Sequence, residues 1–325
     1  MCSSGCNIAD FTHPKDPSLV YPFVRNELDT PENMMKEIVR QYYNGEFQIN
    51  RNLHILTRTY ADFRTDSISS HFSEDIRALC HQLGKPNLVE VWKQLTPEKI
   101  RSFAETDDFR LYAGQEYSAK ECGLWSPVLA MHLIMDYRPN QKPIKILDPS
   151  SGWGDRLIAA IMAGDAVSEY HGYDPSKEMA PRYQEIIDRL DIEKKCQVTR
   201  VKFELAEIKK GYYDLAMTSP PYYDLEIYSL DDDQSTSEYK SYREWLKFFY
   251  TRYLLNMRYG VRKGGTMIVY VSDYTDKDNQ KYNLEEDTID ILTKRASGVT
   301  LRLKGGLQTK LNDAPRPFFV FDVNE

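Results

Sequence analysis

Long apolar runs are missing: no window of the 325 residues approaches the roughly 20 consecutive apolar side chains that cross a bilayer. The opening stretch MCSSGCNIADFTHPKDP has neither a basic start nor an apolar core, so neither a membrane span nor a secretory signal is expected. Cysteine is scarce. Cys2, Cys6, Cys80, Cys122 and Cys196 are odd in number and mostly far apart, which predicts reduced thiols and a soluble intracellular protein, cytoplasmic or nuclear. No second Cys or His pair follows Cys2 and Cys6 at metal spacing, and the histidines show no paired spacing, so no metal site is expected. Basic excess is absent too. A formal net charge of −7 does not suit a protein that coats nucleic acid, although a locally basic groove is compatible with it.

What the chain does have is apolar and aromatic material. Its 41 % hydrophobic and 28 % charged residues are those of a globular protein with a real core. The 23 tyrosines stand out, since a ring with a polar tip serves both wet recognition sites and half-buried cores.

From about residue 121 the pattern alternates strand and helix, as a doubly wound α/β sheet requires. IKILD (144–148) is a short apolar strand, followed by the turn PSSGWG and the helix DRLIAAIMAG. YHGYD ends a second strand at Asp174, and the helix after it tolerates Pro181 only in its first turn. CQVTRVKF and YDLAMTS supply two further strands; SYREWLKFFYTRYLLNMRYG is a helix with Trp245, Phe249, Tyr253 and Met257 on its packing face. GGTMIVYVSDY is a fifth strand, and VTLRLKG with RPFFVFDV closes the sheet as an antiparallel pair, giving seven strands. Residues 1–120 read instead as short helices, TPENMMKEIVRQYYNG, SEDIRALCHQLG, NLVEVWKQL and TPEKIRSFAE, with Thr caps in TPEN and TPEK. The expected organisation is therefore a helical accessory region, 1–120, and an α/β domain, 121–325. The acidic segment LDDDQSTSEYKS (230–241) is a loop placed to act as a lid.

Ligands of parallel sheets bind at the carboxyl ends of the strands. Asp148, the SGWG turn, Asp174 and the tetrapeptide SPPY all fall at such ends and should converge. Gly152 and Gly154 allow close backbone approach. Asp174, ~20 to 30 residues beyond the turn, is placed to accept from ribose hydroxyls. GWGDRL lacks the third glycine of a dinucleotide fingerprint, and no Lys-Ser or Lys-Thr completes a phosphate loop. A cofactor with adenosine but no pyrophosphate fits better, against the plainer reading of a turn that only connects strand to helix.

LDPSSGWGDRL, the acidic strand end at Asp174 and TSPPY together resemble the S-adenosylmethionine-dependent amino methyltransferases that act on adenine or cytosine in nucleic acids. The likeness spans about residues 121–325 in the unpermuted motif order. It implies a Rossmann-like seven-stranded class I methyltransferase sheet, with Asp148, Pro149, Ser150, Gly152, Trp153, Gly154 and Asp174 around the cofactor S-adenosyl-L-methionine. Ser126 and Pro127 of LWSPVLAMHLI match the upstream motif near the methionine part. Ser219, Pro220, Pro221 and Tyr222 match the catalytic motif.

The chemistry suits that motif. An exocyclic amine is a poor nucleophile because its lone pair is delocalised into the ring. Acceptors on Ser219 and Pro220, stiffened by the diproline, would draw the amine toward tetrahedral geometry. Tyr222 would stack on a base flipped out of its duplex or taken from a single strand. The resemblance makes DNA the expected substrate, ahead of RNA, and Ser219 leans to cytosine over adenine. A glutamine-like amide substrate and a noncatalytic subunit of the same fold remain alternatives.

Other residues carry less weight. Asp224 and Glu226 read as a solvated turn, ahead of residues that touch substrate or position the loop; Glu204 reads as a residue near the adenine, and His171 as structural. Phosphate contacts could come from Lys294, Arg295, Arg302, Lys304 and Lys310 or from Arg51, Arg58 and Arg64, with a charged strand edge as the equal reading. Target recognition would fall to residues 1–120 or to the 224–240 loop.

Overall fold

The computed structural model describes residues 11–21, 30–45, 49–50, 55–56, 67–82, 84–103, 106–119, 122–123, 125–138, 142–191, 195–228, 234–276, 278–307 and 316–324. Its N-terminal part is built of short pieces: β1 (Thr12–His13), β2 (Asp16–Val20), α1 (Pro31–Tyr43), β3 (Ile49–Asn50), β4 (Ile55–Leu56), α2 (Ser67–Ala78), β5 (His81–Gln82), α3 (Leu88–Gln94), α4 (Pro97–Arg101) and α5 (Thr106–Tyr117). Both expected caps form, with Thr30 Oγ1 accepting from the Asn33 amide and Thr96 Oγ1 from the Lys99 amide, each at 3.2 Å. Each helix begins with proline in its first turn, where no amide is needed.

Two N-terminal expectations need correction. SEDIRALCHQLG is not one helix, because α2 starts earlier and stops at Ala78, and His81–Gln82 pairs antiparallel with a strand far along the chain. Tertiary pairing overrides local propensity there. Helix α5 was not expected; Phe109 and Ala113, four residues apart, are its buried stripe.

The second part runs α6 (Pro127–Asp136), β6 (Ile144–Asp148), α7 (Asp155–Met162), β7 (Val167–Asp174), α8 (Ala180–Leu190), β8 (Cys196–Arg200), β9 (Tyr213–Thr218), β10 (Glu226–Ile227), α9 (Ser235–Glu238), α10 (Tyr242–Glu244), α11 (Thr251–Gly260), β11 (Val261–Tyr270), β12 (Tyr274–Thr275), β13 (Lys281–Tyr282), α12 (Leu284–Asp290), β14 (Val299–Leu307) and β15 (Arg316–Val323). A π-helical turn at Trp245–Tyr250 joins α10 to α11 in one continuous helix. The stretch from Leu284, with Leu284, Thr288, Ile291 and Leu292 buried, is a helix that sequence reading missed.

Seven strands form one sheet in the order β14-β15-β11-β9-β6-β7-β8. Neighbours from β11 to β8 are parallel, while β15 is antiparallel to β11 and β14. This is a Rossmann-like, doubly wound sheet of seven strands, parallel except for its closing antiparallel strand. The chain winds outward through β6, β7 and β8, then returns to β9 on the other side of β6. The switch point therefore lies between Asp148 and Thr218, where a ligand crevice opens.

One face of the sheet is covered by α6, α7 and α8, the other by α11 and its neighbours. Helices α1 and α2 join the first face: Ile38, Phe72 and Ile76 belong to its core. Asp75 of α2 and Arg182 of α8 form a buried ion pair at 2.8 Å, their side chains 3 % and 4 % exposed. A separate small core gathers Phe11, Tyr21, Leu88, Trp92 and Phe109 from the residue before β1, the residue after β2, and α3 and α5.

Cys80 and Cys122 are paired as a disulfide, their Cα atoms 6.2 Å apart, which corrects the expectation of reduced thiols for this pair. The end of α2 packs against the segment before α6, so residues distant in sequence meet. Cys196 is buried and outside any disulfide among the described residues; Cys2 and Cys6 lie outside the described residues. Among the described residues no helix is long and apolar enough to cross a membrane.

Candidate active site

Asp148, at the end of β6, is wholly buried and therefore needs donors. It receives them from Arg156 Nε at 2.9 Å, the Tyr170 hydroxyl at 2.6 Å and the Ser150 amide at 3.2 Å. The charge of Asp148 holds the Arg156 guanidinium firmly protonated in spite of its burial. Arg156 also donates to the Ser150 carbonyl, so the turn after β6 is pinned from both sides. Asp148 was expected to face the cofactor. Its carboxylate instead anchors the turn and does not reach the cavity wall.

The turn needs its glycines. Gly152 has φ 56° and Gly154 φ 89°, and a Cβ on Gly154 would come within 2.8 Å of Ile186 Cδ1. Across the turn, Asp174 at the end of β7 accepts from the amides of Gly152 at 2.9 Å and Ser176 at 3.0 Å. Burial pushes the Asp174 carboxyl up to about 6. Glu204 lies in a 3-10 turn beyond β8, and burial raises its carboxyl as well.

On the other side of the switch point, Ser219, Pro221 and Tyr222 follow β9. The Tyr222 hydroxyl accepts from the Ser272 amide at 3.0 Å and lies 3.1 Å from its Oγ, and the Tyr222 ring meets Tyr274 edge-on at 5.4 Å. These contacts fix the orientation of the ring. The Tyr253 hydroxyl links the two motifs, 2.8 Å from Ser150 Oγ and 2.5 Å from Thr218 Oγ1.

Both motifs open on one cavity of about 400 Å³. From the cofactor set, Pro149, Ser150, Gly152, Trp153 and Asp174 line it, with Glu204 beside them; from the catalytic set, Ser219, Pro221 and Tyr222 do. Gly154, Ser126, Pro127 and Pro220 stand behind the wall. Ser126 and Pro127 open α6 and are buried in the core. Their neighbour Trp125 lines the cavity, its ring 4.8 Å from the Arg156 guanidinium and 5.3 Å from Tyr270.

Several lining residues escaped the sequence reading. Phe249 and Tyr253 were read only as a packing face, although that helix lies over the switch point. Tyr270 ends β11 and Ser272 lies just beyond it, at a strand end like those of β6 and β9. Gln82 and Glu226 carried no local signal, because they meet only through the β5–β10 pairing. Glu226 is thus not a solvated turn residue. Asp224 accepts from the Tyr274 hydroxyl at 2.8 Å and holds the loop. His171 is buried with Nδ1 2.8 Å from the Tyr213 hydroxyl.

The candidate phosphate contacts are matched by acids. Arg302 pairs with Asp322, Lys304 with Glu285 at 2.6 Å, and Lys294 with Asp290 at 2.7 Å. This supports the charged-edge reading for those three. Arg295 reaches Thr251 Oγ1 at 3.4 Å. Arg51, Arg58, Arg64, Lys310 and the acidic part of the 230–241 segment lie outside the described residues.

No family model matches the chain, and no curated protein does. Solved structures resemble it at low identity. The tRNA m1G37 methyltransferase of M. jannaschii is 11 % identical, with 62 % of this chain and 51 % of that chain covered and a TM-score of 0.40. TrmN from Thermus thermophilus is 17 % identical, with 62 % and 50 % covered and a TM-score of 0.42. Magnesium protoporphyrin IX methyltransferase from Synechocystis PCC 6803, with bound SAM, is 13 % identical, with 70 % and 89 % covered and a TM-score of 0.41. The chain spans about half the length of the first two. Likeness at this level is no basis for assigning a substrate.

Proposed function

We propose that this chain is an S-adenosyl-L-methionine-dependent methyltransferase that modifies the exocyclic amino group of a nucleic-acid base, cytosine ahead of adenine and DNA ahead of RNA. The observation that carries the reading is the convergence of the SGWG turn, Asp174 and Ser219–Tyr222 on one cavity. The residues fit the cofactor. Gly152, at φ 56°, leaves bare backbone on the cavity wall, and the Asp174 carboxylate is the acceptor a ribose requires. When bound, S-adenosylmethionine supplies a sulfonium methyl group.

The chain's own residues do the rest by positioning. Ser219, on the cavity wall, accepts a hydrogen from the amine, and the Pro220–Pro221 corner holds it rigid, so the lone pair is drawn out of conjugation with the ring. Tyr222, held by Ser272, offers its face to the base; such stacking contributes ~1 to 3 kcal/mol. The Gly152 turn and Asp174 would hold the cofactor so that its methyl group would be supplied to the amine nitrogen, whose surplus proton would pass to solvent.

A second reading is transfer to a side-chain amide in a basic polypeptide. It is favoured by charge: residues 222–240 hold six acids against one lysine, and residues 272–290 seven acids against two lysines. Both segments leave the strand ends that carry the site, and acidic rims repel phosphates. The test is transfer of labelled methyl to duplex DNA, single-stranded DNA, RNA and bulk protein, with Ser219→Ala and Tyr222→Ala as controls. Label in methylated cytosine or adenine, lost in both variants, supports the first reading; label in protein alone moves the assignment to the second. No binding of S-adenosylmethionine overturns both.

A further inference from the structure

One wall of the cavity comes from the N-terminal part of the chain. Ile76 of α2 and Gln82 of β5 line it together with Glu226 of β10, directly across the strand pair from Gln82. Gln82 Nε2 donates to Glu226 Oε1 at 3.2 Å, and the Gly123 amide donates to the same oxygen at 3.2 Å. The Tyr228 hydroxyl donates to the other carboxylate oxygen. The Cys80–Cys122 disulfide ties the strand carrying Gln82 to the segment carrying Gly123. Three remote pieces of chain therefore meet at one carboxylate.

The chemistry of that junction fixes the Gln82 amide. An ionised carboxylate has only acceptor atoms, so the Gln82 limb facing Glu226 must be its NH2 group. The carbonyl oxygen is then the limb left for the cavity, an acceptor whose orientation is set by its neighbour. An acceptor held this way favours a ligand that brings an N–H and disfavours one that brings a carbonyl oxygen to the same place, because oxygen against oxygen leaves the amide unpaired.

We propose that Gln82 is a specificity residue of this site, its carbonyl oxygen selecting acceptor groups that carry a hydrogen-bond donor, with Glu226 as the positioning residue that orients it. The proposal rests on the methyl-transfer reading and deepens it: residues before the sheet complete the substrate wall.

The test uses the full chain and the variants Gln82→Leu and Glu226→Gln, each checked for folding by thermal melting. Methyl transfer is followed on whichever acceptor of the four-way panel takes label, with S-adenosylmethionine affinity measured by calorimetry. Gln82→Leu should raise KM for the acceptor about tenfold or more, while kcat and cofactor affinity move less than about threefold. Glu226→Gln, which frees the amide to turn over, should give a smaller rise of the same kind. Where the label falls on cytosine, cytidine should compete with the acceptor on the unmodified chain at least about tenfold better than uridine, a readout that needs no variant to fold. Unchanged KM in Gln82→Leu, or equal competition by the two nucleosides, overturns the proposal and leaves methyl transfer standing. Absence of label in every acceptor, with cofactor bound, overturns the transfer reading and this proposal with it.

Discussion

The phenol oxygen of Tyr253 lies 2.5 Å from the hydroxyl of Thr218, the residue just before the SPPY tetrapeptide. The same oxygen is 2.8 Å from Ser150 in the turn after β6. Tyr253 is 1 % exposed and sits on the helix packed across the switch point. A single buried hydroxyl thus joins the element that would hold the cofactor to the one that would hold the acceptor.

Tyr253→Phe should preserve the fold and loosen that join. Removing the hydroxyl deprives Ser150 and Thr218 of a shared partner, a cost of about 1 to 3 kcal/mol. The expected result is a melting temperature a few degrees lower and a fall of about tenfold in kcat/KM for methyl transfer. A mutant with full kcat/KM would show that the two motifs need no such link.

The Asp174 carboxyl gives a pH signature. Burial raises it from 3.8 to about 6, so it is neutral below that pH and ionised above it. A ribose hydroxyl needs the ionised acceptor, and cofactor affinity should therefore fall as pH drops through about 6. Folding stability has the opposite sign. A raised carboxyl favours the folded state below 3.8, and that contribution is lost as pH rises through about 6. Calorimetric titration from pH 5 to 8 should show the affinity step in the parent, and Asp174→Asn should bind weakly at every pH without the step.

The Asp75–Arg182 pair joins the N-terminal helices to the sheet domain from within, with both side chains under 5 % exposed. Asp75→Ala takes the buried carboxylate away from the Arg182 guanidinium and should cost about 3 to 5 kcal/mol. Replacing both partners with apolar residues, Asp75→Leu with Arg182→Met, should recover most of that loss in urea unfolding. Equal losses in the single and double variants would mean that packing, and not charge, sets the cost.

How much of this was legible in the chain depended on whether the signal was local. IKILD and RPFFVFDV gave their strands residue for residue, because a short apolar run bounded by turns has few other uses. Proline and glycine marked the turn at Gly152 and the corner at Pro220, since both act on their own backbone. The capping threonines were equally plain. Asp148 was legible as a strand end, but nothing local says that Arg156 and Tyr170 would claim its oxygens. Gln82 was lost inside a helix that the sequence extends to Gly84, and only pairing with a strand more than a hundred residues away pulls it into β5. The segment from Leu284 was missed for a related reason: its acidic first turn dilutes the apolar stripe.

Tyr222 separates stacking from positioning. Its ring faces the cavity while its hydroxyl is held by the Ser272 amide at 3.0 Å. Tyr222→Phe keeps the face and removes the tether, so substrate KM should rise only about two- to fivefold, reflecting the modest net worth of one hydrogen bond. Tyr222→Ala removes the face, and a stacking contribution of ~1 to 3 kcal/mol corresponds to a loss of about ten- to a hundredfold in kcat/KM. Cofactor affinity should hold in both. If the phenylalanine variant were as poor as alanine, the hydroxyl rather than the ring would be the working group, and a role for Tyr222 as a platform for a planar acceptor would have to be given up.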